Sequence, residues 1–85
     1  MANRKNRIRY YTIYFKAGQY LSMPAVDINQ AQEDYKYLAQ QEGIIAFGIY
    51  DPLDWAFDWL ADEHIQNEHT DQVNVLIVIL QQRHL

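Results

Sequence analysis

The amino-acid sequence predicts an α+β fold: a single small domain of order β-β-α-β-α-β, with one mixed four-stranded sheet and two helices. Three observations carry that expectation. An aromatic and β-branched run near the N-terminus ends in a glycine-bearing turn, a capping signature opens a stretch with helical spacing, and two later runs are almost wholly apolar. At 85 residues the chain is long enough for one core and too short for two. The domain is therefore expected over residues 1–85, with residues 1–6 a flexible basic N-terminus.

The elements follow in order. Residues 8–16 put Ile8, Tyr10, Thr12 and Tyr14 on one side and Arg9, Tyr11, Ile13 and Phe15 on the other, the period of a strand. Ala17-Gly18 supplies a two-residue turn, and residues 19–23 return as a second strand that Pro24 confines to an edge. Asp27 with Gln30 three positions on is a capping box, after which Ile28, Ala31, Tyr35, Leu38 and Ala39 recur at helical spacing, and Gly43 suits a left-handed stop. Residues 44–50 are apolar and short, as in a strand buried on both faces. Asp51 then caps a second helix with Pro52 in its first position, running to about His64 or Ile65. Residues 66–72 are polar and expected as a loop, and the β-branched run 73–80 as the central strand. Helical crossovers between strands make neighbours parallel, hence the mixed sheet. A last strand apolar on both sides must be covered twice, either by helices on opposite faces or by a second copy of the chain, so the sequence admits a homodimer.

Charge narrows the function. Five of the seven lysines and arginines lie in the first sixteen residues, whereas all eleven acids lie from Asp27 onward, for a net charge of −4. Direct nucleic-acid binding is disfavoured, because phosphate neutralisation needs a broad basic footprint. No apolar run approaches the roughly 20 residues of a membrane span, and the absence of cysteine excludes disulfides and thiolate metal sites, so a cytoplasmic protein is expected.

Within the expected second helix, Leu53, Ala56, Phe57, Leu60 and Ala61 turn toward the sheet. Asp54, Asp58 and Asp62 form a stripe at i, i+4 spacing, bordered by Trp55 and Trp59. Like charges at that spacing cost about 0.2–0.5 kcal/mol per pair. The stripe thus mildly opposes helix stability, and some local conflicts of this kind mark sites. The same pattern also suits a solvated face whose tryptophans close the rim of the core. On the functional side, tryptophan anchors among acids fit a non-catalytic protein-interaction module, an adaptor or inhibitor binding a basic surface of a larger protein. Two other readings fit the same residues: an acidic nucleic-acid mimic, and a small RNA-binding domain using the basic aromatic hairpin with Arg7 and Arg9. No catalytic residues are expected, since no nucleophile motif or glycine-rich phosphate loop is present. Neither metal nor cofactor is expected: His64 and His69 are five residues apart, which points them to different sides of a helix.

Overall fold

The hairpin forms where alternation places it. In the computed structural model, which describes residues 7–83, strand β1 (Tyr10–Lys16) pairs antiparallel with β2 (Gln19–Ala25). The connecting residues Ala17 and Gly18 both have positive φ, 51° and 78°, the combination a two-residue turn needs to match strand twist. Helix α1 (Ile28–Ala39) starts at Asp27, whose carboxylate accepts the Gln30 N–H at 2.8 Å. Strand β3 (Ile44–Asp51) follows, then a turn, strand β4 (Ala56–Trp59) and helix α2 (Glu63–Gln82). The basic N-terminus expected over residues 1–6 lies outside the described residues.

Four strands, two helices and the order of the first four elements agree with the sequence expectation. The sheet differs in being antiparallel throughout, with strand order β2-β1-β3-β4. Two differences make it so: β1 lies between β2 and β3, so the strands that the α1 crossover joins are not neighbours, and the last helix and strand come in the opposite order to that expected, which leaves β4 to fold back directly on β3. Residues 52–59 form a turn and an edge strand in place of a helix, because the 56–59 segment buries Phe57 and Trp59 in part and exposes Ala56 and Asp58, a period of two. Residues 66–72 and 73–80, expected as a loop and a central strand, are one helix. Asp62 accepts the Ile65 N–H at 3.0 Å, Glu63 complements the helix dipole, and Ile65, His69, Val73, Ile77 and Leu80 recur on one side at helical spacing. That stripe begins before the β-branched run and carries it into the helix.

The helices cover opposite faces of the sheet. Thr12 Oγ1 donates to the Ala31 carbonyl oxygen in α1 at 3.1 Å, while its neighbours Tyr11 and Ile13 pack with Val73 and Leu80 of α2. The buried hydroxyl is thereby satisfied, worth about 1 kcal/mol net and more if the partner were lost. Ala25, Ala31 and Ile49 complete the α1 side. The α2 side is larger and aromatic: Ile13, Phe47, Val73 and Leu80 are fully buried, each contributing about 1.5–3 kcal/mol. Among the described residues no helix is long and apolar enough to cross a membrane.

The pairing of β1 with β3 shifts register between Ile13 and Tyr14, which face Gly48 and Ala46, so Phe47 is the extra residue of a bulge. Phe47 and Tyr50, three apart, consequently share the α2 face, and Ile49 faces α1. Beside the bulge, a Cβ on Gly48 would stand 2.0 Å from the Asp58 carbonyl oxygen. Only glycine admits β4 this closely. Gly48→Ala is expected to lower the unfolding free energy by at least about 3 kcal/mol in urea titration, with Trp59 emission shifting to the red as β4 is pushed away. A loss below about 1 kcal/mol would mean that the strands separate freely.

Candidate functional site

The turn between β3 and β4 is built on Asp51. Its Oδ1 accepts the N–H groups of Leu53 (3.0 Å) and Asp54 (3.3 Å) and pairs with the Arg9 guanidinium, which also lies over the Tyr10 ring at 4.5 Å. The capping signal at Asp51 is therefore real, but it closes a turn in place of opening a helix. Burial drives the Asp51 carboxyl pKa up, and the hydrogen bonds from Arg9 and from the Asp54 and Leu53 amides, with the guanidinium charge, outweigh it to leave the pKa below its ordinary value. Burial, and then the Asp51 charge, raise the pKa of the neighbouring Tyr50 phenol.

Trp55 ends the turn with φ at +54°, a left-handed conformation that costs a bulky residue on the order of 1–2 kcal/mol. With the Gln81 amide oriented to suit its three neighbours, its oxygen accepts from Trp55 Nε1 at 3.0 Å, and its nitrogen faces the Pro52 carbonyl oxygen (3.3 Å) and the Tyr50 hydroxyl. The end of α2 thus holds the turn. Even so, 68% of Trp55 is exposed, with Leu53 at 66% two residues before it.

The five residues expected to share one helical face are distributed differently. Asp54 and Trp55 lie in the turn and Asp58 is exposed on β4. Trp59, on the opposite face of that strand, packs edge-on against Phe47 and Phe57 with centroids 6.1 and 4.8 Å away. Asp62 caps α2. Consequently there is no row of aspartates on a rigid cylinder: the i, i+4 spacing loses its meaning once the backbone is a turn and a strand. Asp54, Trp55 and Asp58 are exposed, as are Leu53 and Ala56, which the helical pattern assigned to the core; Trp55 reaches Gln81 at the end of α2, whereas Asp58 stands beside Ile49 on the α1 side.

Strand β4 is an edge strand. The Leu60 N–H donates to the Phe47 carbonyl at 2.9 Å, and the alternation of an antiparallel ladder then turns the peptide groups of Phe57 and Trp59 outward. Beside this edge, on the α1 side, lies a groove of about 400 Å³ whose lining includes Tyr10, Ile28, Ile49, Ala56, Phe57 and Asp58.

The hairpin aromatics are engaged internally. Tyr11 is buried, Phe15 and Tyr20 are 4.9 Å apart, and Arg9 occupies one face of Tyr10. His69, expected in a loop, is half-buried on α2 with Nδ1 2.7 Å from the Tyr20 hydroxyl and its ring against Phe47. His64 lies 3.4 Å from Glu68, one helical turn on. Among the described residues no group of three His, Cys, Asp or Glu could hold a metal ion. Comparison with family models, curated proteins and solved structures returned no significant match.

Because the folded-state pKa of Asp51 is depressed, its ionisation stabilises the fold fully above the unfolded value of about 3.9, and that contribution disappears as pH falls through the folded value. Asp51→Asn is expected to be less stable than the parent at pH 7 by about 1–2 kcal/mol. Urea titrations at descending pH should show the gap closing below about pH 4. Parallel stability profiles across that range would remove Asp51 from its place as the turn's electrostatic anchor.

Proposed function

We propose that the protein is a non-catalytic interaction module, an adaptor or inhibitor, which docks a basic segment of a larger protein along the outer edge of β4. The observation that carries this reading is Trp55: a large aromatic held at positive φ by a hydrogen-bonded turn, exposed, at one end of an open strand edge. Strained and exposed positions of this kind concentrate at binding sites. An indole fixed in this way loses little conformational entropy when a partner covers it.

The partner's chemistry follows from the surroundings. From Asp51 to Asp71 the chain carries seven acids, and no lysine or arginine occurs from 51 to 82. A basic segment is attracted, and like-charged partners are repelled. An extended strand added to β4 would take its main-chain hydrogen bonds from Phe57 and Trp59 and set lysine or arginine beside Asp58. Alternation then sends its apolar side chains to the other face, beside Phe57 and Trp59, with Trp55 anchoring one end.

A fluorescein-labelled peptide of alternating valine and arginine is a suitable probe. Anisotropy should report binding that weakens with added salt, by at least about tenfold in Asp58→Lys, and clearly in Trp55→Ala. Amide exchange should slow at Phe57 and Trp59 when the peptide is present. Binding that is indifferent to Asp58→Lys and leaves those amides unprotected would refute the proposal.

A further inference from the structure

Residues 75–80 of α2 are apolar on every side, although only one side of the helix meets the sheet. Val75 is 61% exposed, Val78 54% and Ile79 43%. Gln72, Val75, Ile79 and Gln82 recur at spacings of three, four and three, the repeat of a helix that packs against another helix. A groove of about 250 Å³ runs along the same flank between Tyr20 and Leu76.

We infer that this stripe is the contact of a two-fold homodimer, formed by antiparallel packing of α2 on the α2 of a second copy. The stripe is complementary to itself in that direction. An axis level with Ile77 sets Val75 against the partner's Ile79 and Gln72 against the partner's Gln82. Apolar side chains meet at the centre and amides at both ends. The same arrangement brings Arg83 beside the partner turn that holds Glu68 and Gln72. Arg83 is the first lysine or arginine after Lys36 and is exposed, as is Glu68. Parallel packing would instead lay Glu68 and Asp71 beside their own copies, so charge selects the antiparallel form. This inference is independent of the β4 edge, which is formed by other residues.

Sedimentation equilibrium is expected to find a dimer, and Ile79→Lys, at a side chain nearly half exposed in one copy, to raise the dissociation constant by about a hundredfold with unchanged circular dichroism. The chain has no cysteine, so introduced ones report contacts cleanly. Under mild oxidation a mixture of Gln72→Cys and Gln82→Cys chains should cross-link, and neither variant alone should. A parent that sediments as a monomer at submillimolar concentration, an Ile79→Lys variant that remains dimeric, or cross-linking of either cysteine variant by itself would each overturn the inference.

Discussion

The bulge at Phe47 is the constraint on which the architecture rests. One extra residue in β3 lets Phe47 and Tyr50 both face α2 while Ile49 faces α1, so a single strand supplies both cores. The Phe47 carbonyl receives the N–H groups of Leu60 (2.9 Å) and Ala61 (3.1 Å), which ends β4 and aims the chain at the start of α2. Its ring lies among Tyr20 of β2, Trp59 of β4 and His69 of α2. Gly48, next in sequence, lets the β4 backbone close on β3. Geometry at two consecutive residues therefore decides where the sheet stops and where the last helix begins.

What was legible in the sequence divides along the same line. Up to residue 50, local signals and tertiary structure agree: the Ala17-Gly18 turn, the Asp27 cap and the apolar run of β3 each do what their chemistry favours. Beyond it, local signals are ambiguous. Residues 53–60 satisfy a helical pattern through Leu53, Phe57 and Leu60, and a strand pattern through Phe57 and Trp59, and only the open side of β3 decides between them. The run 73–80 has the composition of a strand, yet its neighbours Ile65 and His69 extend one buried stripe into it. The ion pair of Arg9 with Asp51 joins residues 42 apart and leaves no trace in sequence spacing.

The acidic tryptophan segment was legible as chemistry and not as geometry. Its composition is that of a charged surface, and Asp54, Trp55 and Asp58 are exposed. Its division between surface and core is not that of a helix, because a helix would put both tryptophans at the same border, whereas a turn followed by a strand sends one outward and the other against Phe47. Asp62 belongs to neither group, since its oxygen is used by the Ile65 amide. Leu53 emerges on the surface for the complementary reason: the helical face that would have buried it does not exist.

The two sheet edges are managed by different means, and the difference bears on how the molecule associates. On β2, Pro24 lacks an amide hydrogen and interrupts any ladder that a further strand would extend. On β4, protection comes from shortness and charge: four residues, with Asp58 exposed among them and Asp54 at the adjoining turn. Charge is a selective guard. Two copies meeting edge to edge would bring these carboxylates together without an intervening cation, whereas a basic strand would find them complementary. The acids thus disfavour edge-to-edge pairing of two copies at β4, whereas residues 72–82 of α2 carry no charge that would oppose a second copy. The proposed dimer stripe and the proposed docking edge lie apart, because the Tyr20 flank of α2 lies at the β2 side of the sheet and β4 forms the opposite edge.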